Sequence, residues 1–299
     1  MSQPNRLTRR QFLRLALGTS VGAASFAVSG SVYAAMIEPQ WLSIERVAVP
    51  LARLPRELDG FTIAQLSDLH HGPYIGDAEI RAAVAATNQL QPDAVVLTGD
   101  YITREADRAD DCARELSALR APHGVYAVLG NHDHWSGPEH VARALIDHSI
   151  PALVNDAVPI ERHGARLWIV GVDDVWEGRA DLKQALRRVP ATEPTVLLAH
   201  EPDYADESKR SPIDLQLSGH SHGGQVRLPF YGAPVLPHLA KKYPIGLARA
   251  AALWVYTNRG IGVVWPPVRF NCRPEITLLT LRSVDLSGGR TKSMEKQAF

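Results

Sequence analysis

An α/β fold is what this sequence predicts: a four-layer α-β-β-α sandwich of two mixed sheets flanked by helices, with a site at the strand ends. Three observations lead there. Through the first half of the 299 residues, short apolar runs alternate with runs of helical period, the pattern of layered folds with partly parallel strands. In the second half the apolar runs follow one another with little helix between, which predicts a second, mainly antiparallel sheet packed on the first. In both halves the apolar runs stop at polar, histidine-rich text.

The elements follow in order. Leu42, Ile44, Val47 and Val49 alternate over 42–49, and FTIAQL at 61–66 is a second strand. AEIRAAVAATNQL (78–90) is apolar at helical spacing. DAVVLTGD (93–100) and GVYAVLGNHD (124–133) are buried strands that end in polar residues, with a helix at 109–120 between them. Pro138 starts another helix over 138–148. Beyond it, 166–174 is a strand and 180–189 a helix, and 194–201, 214–220, 225–229, 252–260 and 275–282 are strands. Residues 230–250 and 261–274, rich in Pro, Gly and aromatics, read as loops.

Composition sets the frame. Hydrophobic residues make up 45% and charged residues 21%, enough to bury a sizeable core. The first 34 residues differ: they hold Arg6, Arg9, Arg10 and Arg14 and no acid, then the weakly apolar LALGTSVGAASFAVSGSVYA, ending small at Ala34. That is the layout of a signal peptide. TRRQFLR (8–14) resembles the twin-arginine export motif, an address and not an anchor. A basic amphipathic helix or an uncleaved tether is the competing reading, but Gly18, Gly22 and Gly30 interrupt the run and argue against a spanning helix. The expected organisation is a signal at 1–34, one domain at 35–282 and a disordered tail at 283–299. The expected location is the periplasm or cell envelope, reached through the twin-arginine export machinery, with membrane association if the signal stays uncut.

Without the four leader arginines, Lys+Arg falls from 32 to 28 against 32 Asp+Glu, so the mature chain is mildly acidic. With no basic patch interleaved with aromatics, nucleic acid is not an expected partner, and the chain is expected to act as a monomer. Cys112 and Cys272 are too few for a disulfide scaffold; an exported chain could pair them, and the other reading is two unrelated thiols.

The strand ends carry the chemistry. SDLHHGP supplies Asp68 and His70, LTGD supplies Asp100, and LGNHDHW supplies Asn131, His132 and Asp133. LLAHEP supplies His200, and SGHSHGG supplies His220 and His222. Such edges are where sites assemble in layered α/β folds. On an extended chain, residues i and i+2 point the same way, so Asp68 with His70, and His220 with His222, can face one ion together or an ion on each side. Gly219, Gly223 and Gly224 permit a close backbone path. Carboxylates, imidazoles and one amide oxygen suit Mn, Fe or Zn, and two such ions roughly 3.5–4 Å apart form a clamp for phosphoryl displacement.

These five groups, in this order over 68–222, resemble the signature of the calcineurin-like metallophosphoesterases. GGQVRLP and NRGIGVVWPPVRFNCRPEITLLTL further resemble the exported, single-domain YkuE-type bacterial subfamily. The resemblance implies a metal-dependent phosphoric ester hydrolase with two divalent ions. One site would use Asp68, His70, Asp100 and His222, and the other Asp100, Asn131, His200 and His220. A metal-bridging hydroxide would attack phosphorus, His132 would stabilise the transition state or protonate the leaving oxygen, and Asp133 would orient His132. In the calcineurin phosphatases proper an arginine follows the bridging aspartate closely. GDYITRE departs from that, which speaks against protein-phosphatase activity.

Blander readings stand beside these. Asp68, Asp100 and Asp133 could each be caps, and Asn131 a turn residue, but those readings must then explain five histidines at strand ends in one ordered series. His71 and His134 are candidates for ligand support or substrate contact. Lys241, Lys242 and Arg259 could meet a phosphate or be surface charge. Trp135, Phe230, Tyr231 and Trp265 could rim a lipid or sugar site or be core. The expected function is exported hydrolysis of a phosphodiester or pyrophosphate, of a lipid or cell-envelope molecule. A non-catalytic metal-binding envelope module is the alternative, and a single-zinc peptidase lacks its H-E-x-x-H helix. Acid should switch the enzyme off, because ligating imidazoles must be neutral.

Overall fold

In a computed structural model, residues 8–284 are described. Arg6 of the expected signal, and nearly all of the expected tail, lie outside that range. Two mixed sheets carry the domain. The first holds β1 (Ser43–Leu51), β2 (Thr62–Leu66), β3 (Ala94–Thr98), β4 (Val125–Val128) and β11 (Glu275–Ser283), in the order β1-β11-β2-β3-β4. The second holds β5 (Asp156–Arg162), β6 (Ala165–Gly171), β7 (Thr195–Leu198), β8 (Leu215–Ser218), β9 (Gly246–Ala250) and β10 (Leu253–Thr257), in the order β5-β6-β7-β8-β10-β9.

Strand periodicity explains the layers. Ile63 and Val96 face a core shared with Ile169, Leu198, Leu215 and Leu217 of the second sheet. Their neighbours Ala64, Leu66, Val95 and Leu97 face the opposite way. There they pack under α2 (Asp77–Gln89), α3 (Arg108–Leu116) and α5 (Pro138–Asp147), through Ile80, Cys112 and Leu145. Trp168, Val170 and Leu197 face outward from the second sheet, under Leu182 of α6 (Leu182–Ala185) and Ala205 of α7 (Ala205–Ser208). Helix, sheet, sheet, helix is thus the layer order, as the sequence predicts.

The second sheet is not mainly antiparallel. Strands β6, β7, β8 and β10 run parallel in succession, and only β5 and β9 at its edges are antiparallel. Its crossovers use one-turn helices and loops, and only the one at 180–189 leaves a helical period in the sequence, where Leu182–Ala185 runs into a 3-10 turn, Leu186–Arg188. Residues 225–229 form no strand: Val226 and Leu228 make isolated bridges to Phe270 and Gly232. Pro229 offers no N–H, and Gln225 sits at φ 57, so a ladder cannot continue. Residues 246–250, expected as loop, are instead edge strand β9. Both cysteines are buried and free.

Helix α1 (Arg9–Val32) precedes the domain, its start capped by Thr8 and Gln11. No helix among the described residues is long and apolar enough to cross a membrane. The helix ends where the chain docks: the Arg269 N–H donates to the Ala34 carbonyl, and the buried Glu38 carboxylate accepts the N–H groups of Asn271 and Cys272.

Candidate metal centre

Parallel strands deliver the polar ends to one edge. Asp68 and His70 follow β2, Asp100 follows β3, and Asn131, His132 and Asp133 open α4 (Asn131–Ser136) after β4. His200 follows β7, and His220 and His222 follow β8 of the facing sheet. Asp68, His70 and His222 bring ligand atoms within 4.8 Å of one another, as do Asp100, His200 and His220, and as do His70, Asp100 and His132. Asp100 lies between the groups: its Oδ2 is 3.6 Å from His70 Nε2 and 3.1 Å from His200 Nε2.

The backbone does not achieve this by extension, contrary to expectation. Asp68, His70, Asp100, His220 and His222 all have φ between 49° and 64°. Left-handed backbone is uncommon for such residues and costs free energy, so the surroundings must hold it. The Asp68 N–H donates to the Gly99 carbonyl, the His70 N–H to the Asp100 carbonyl, and the Asp68 carbonyl accepts from the Gly262 N–H. Gly219 matters for space: a Cβ there would overlap Ser67 Oγ and Asp68 Oδ2. The 259–262 loop that grips Asp68 is itself held by Arg269, fully buried, which donates to the carbonyls of Arg259, Gly260, Gly262 and Cys272.

Backbone carbonyls fix the histidine tautomers, because a carbonyl can only accept. His200 Nδ1 lies 2.6 Å from the Thr98 carbonyl, which leaves Nε2 as the free lone pair. His220 Nε2 meets the His238 carbonyl at 2.7 Å, leaving Nδ1. His132 Nδ1 meets the Thr103 carbonyl at 2.8 Å, leaving Nε2. Carbonyl support of the far nitrogen is the usual arrangement behind a metal-ligating imidazole.

The residues fit a pair of cations. Asn131 Oδ1 is buried with no hydrogen-bond partner, which is costly unless something else binds there. His70 Nε2 and His222 Nε2 face each other at 3.0 Å, and Asp68 Oδ1 is 3.4 Å from His222 Nε2. Burial pushes the His70 imidazole down to about 3 and that of His220 to about 4, so both are neutral and ready to ligate at neutral pH. Burial pushes the Asp68 carboxyl up to about 6. Burial alone would depress His200 too, but the Asp100 carboxylate beside it outweighs that and raises it well above the ordinary imidazole range. Asp100 is held correspondingly low despite its burial, by the charge of His200.

Several expected roles change. Asp133 does not orient His132. Its carboxylate accepts the N–H groups of Asp100, Tyr101 and Gly130, and so shapes the Asp100 loop. Burial and the Asp100 charge push this carboxyl up to about 7, but both oxygens accept N–H bonds, a geometry that fits the ionised form. Lys242 pairs with Asp206, and Arg259 with Glu45 and Glu275, so neither is free for a phosphate. His134 pairs with Asp173 and His71 with Asp77, so they brace loops near the site. Arg104 is exposed.

A cleft of about 440 Å³ opens above Asp100, Asn131, His132, His220 and His222. Trp135 and Trp176 line it, as do Val226, Val235, Val264 and Trp265. Trp176, absent from the expected site, joins Trp135, His220 and His238 in edge contacts 5.5–5.9 Å between centroids. Only its strand-end setting, VDDVWEG, could have marked it. Phe230 and Tyr231 stand outside the cleft, exposed.

Comparison with known proteins gives the same reading. Residues 61–224, which contain every one of these candidate ligands, match the family model described as calcineurin-like phosphoesterase. The chain is 33% identical over 288 residues to an uncharacterised metallophosphoesterase, YkuE, of Bacillus subtilis, covering 94% of this chain and 99% of that one. It is 32% identical to the phosphodiesterase YaeI of Escherichia coli, covering 92% and 99%. Among solved structures, TT1561 of Thermus thermophilus superposes with a TM-score of 0.46 at 15% identity, over 68% of this chain and 90% of that one. With the match spanning both sheets' contributions to the metal centre, the chain belongs to the calcineurin-like phosphoesterase family and is a metal-dependent phosphoesterase hydrolase.

Proposed function

We propose that this chain is an exported dinuclear-metal phosphoesterase that hydrolyses a phosphodiester or pyrophosphate of a lipid or cell-envelope molecule. The observation that carries the reading is the shared carboxylate: Asp100 Oδ2 stands 3.6 Å and 3.1 Å from imidazole nitrogens of two different ligand groups. Asp68, His70, Asp100 and His222 would hold one ion, and Asp100, Asn131, His200 and His220 the other. Mn, Fe and Zn suit these donors. When bound, such a pair supplies an activated water and stabilises charge on the phosphoryl oxygens.

The chain's own groups do the rest. His132 keeps Nδ1–H on the Thr103 carbonyl, so a proton is gained or given at Nε2, the atom left facing the cleft. As imidazolium it donates there to the leaving oxygen. Asp133 fixes the Asp100 loop through three backbone N–H groups, and the His132 N–H donates to Asp100 Oδ1, so the proton donor and the shared ligand move as one unit. Trp135, Trp176, Val226, Val235 and Val264 exclude water and suit an apolar leaving group. Export is supported by the arginines at 9, 10 and 14 and by the helix leading into the domain.

The test is turnover after stripping metal and reloading Mn, on bis-p-nitrophenyl phosphate and on p-nitrophenyl phosphate. Diester turnover should require metal and fall about 10²–10⁴-fold in His132→Ala. Turnover that survives either change refutes the reading. Bound metal with no turnover of either ester favours the metal-binding envelope module.

A further inference from the structure

The mouth of the cleft is apolar where a protein in water gains nothing from being so. Leu228 and Gly232 exchange backbone hydrogen bonds and close a tight hairpin with Phe230 at its tip. Phe230 is fully exposed and held at φ 63, a left-handed backbone that a bulky residue adopts only under constraint. Tyr231, Val235 and Trp265 are 73%, 75% and 80% exposed beside it.

These residues belong to one surface. The Arg227 N–H donates to the Phe270 carbonyl, and the Gln225 amide donates to the carbonyls of Val264 and Pro266, so hairpin and Trp265 loop are tied together. Phe270 meets Tyr33 edge-on at 6.5 Å, and the Arg269 N–H holds the Ala34 carbonyl. Met36 and Ile37, exposed just past helix α1, therefore join the same patch.

Charge identifies the occupant. From residue 215 to 274 the chain has seven basic residues and no acidic one, and before Glu38 it has none either. Arg269 is buried, and Arg259 and Lys242 are paired with carboxylates. Arg227 and Arg273 instead donate to the carbonyls of Gly223 and Trp41, and neither is paired with a carboxylate among the described residues. Exposed aromatics flanked by Arg227 and Arg273, with the one nearby acid, Glu38, buried and bound to backbone N–H groups, match an anionic bilayer, where rings enter the headgroup boundary and each cation near the surface adds attraction. A second copy is disfavoured, because pairing this patch with itself would oppose like charges.

We propose that the Leu228–Val235 hairpin and Trp265 insert into an anionic lipid surface and hold the cleft mouth against it, so that phosphoester headgroups enter without leaving the membrane. Docking itself stands apart from the hydrolysis argued above; only the delivery of substrate rests on that reading.

Flotation of the full chain with vesicles tests docking without any substrate. The wild type should float with phosphatidylglycerol–phosphatidylcholine vesicles, less at high salt, and more weakly with phosphatidylcholine alone. Phe230→Ser/Tyr231→Ser, which removes two exposed rings outside the cleft lining, should lose binding by at least about tenfold. Its melting temperature and turnover of a soluble diester should be unchanged. A variant that floats like the wild type, a wild type that does not float, or equal binding to neutral vesicles overturns the proposal. So does a wild-type dimer that the variant converts to monomer. Flotation without turnover of any ester would leave docking intact and sink the enzymatic reading.

Discussion

The floor and the mouth of the cleft are built by opposite rules. On the floor, Asp68, His70, Asp100, His220 and His222 are buried, left-handed and held by backbone hydrogen bonds from both sheets. At the mouth, Phe230 is also left-handed but fully exposed, and a two-residue closure alone holds it. Strain inside a packed network can be sustained because many contacts over-determine it; strain on the surface must be carried locally. The floor should therefore fail when any one support is removed, whereas the mouth should change its surface behaviour and nothing else.

Asp100→Asn is the sharpest way to break the floor. The substitution keeps shape but removes the charge shared by both ligand groups, and it leaves His200 without its partner at 3.1 Å. Metal content should fall below one ion per chain, and diester turnover should fall by more than about 100-fold, beyond what loss of an outer hydrogen-bond partner costs. Elemental analysis beside the assay checks this. Full metal content in the variant would show that Asp100 is not the shared ligand.

Supports without ligand atoms come next. Arg269→Met leaves four carbonyls without their buried donor, which should cost about 2–4 kcal/mol and loosen the loop behind Asp68. The melting temperature should drop, and metal affinity with it. Gly219→Ala forces a methyl into Ser67 and Asp68 and should cost about 1–3 kcal/mol, with metal loss on the Asp68 side. A normal melting curve with normal metal affinity in either variant would mean that the floor is less over-determined than its hydrogen bonds indicate.

How much of this was readable in advance follows the same division. The residues that meet at the candidate centre were legible because each ends an apolar strand, and a strand end is visible as a change in residue type. Their left-handed backbone was not, since it depends on Gly99, Gly260 and Gly262 arriving from elsewhere in the chain. The carbonyls of Thr98, Thr103 and His238 that set the tautomers carry no residue-type signal at all. Arg269 was hidden because a buried arginine looks like a surface one in text. The parallel core of the second sheet was missed because only one of its crossovers, at 180–189, carries a helical period. At the mouth the residue types were visible, but their exposure depends on the hairpin between Leu228 and Gly232.

A smaller effect separates the two regions by protons. In the metal-free protein Asp100 holds His200 protonated at neutral pH, and ligation must expel that proton. Metal binding at neutral pH should release about one proton, measurable by calorimetry in buffers of different ionisation enthalpy. Affinity should rise with pH, and its slope should steepen below about 6, where Asp68 also takes a proton. His70 and His220, near 3 and 4, add nothing until much lower pH. Binding that releases no proton and stays level through pH 6 would contradict this picture of the floor.

The smallest effect belongs to the mouth. Phe230 and Tyr231 bury little in the folded chain, so little apolar area is lost when they are cut back. Exposed substitutions away from caps and networks usually move stability by no more than about 0.5 kcal/mol. Phe230→Ser/Tyr231→Ser should melt within a degree or two of the wild type and refold as well, with less tendency to aggregate. A drop as large as that of Arg269→Met would mean that these rings pack against something in solution, and the contrast between a braced floor and a free mouth would be lost.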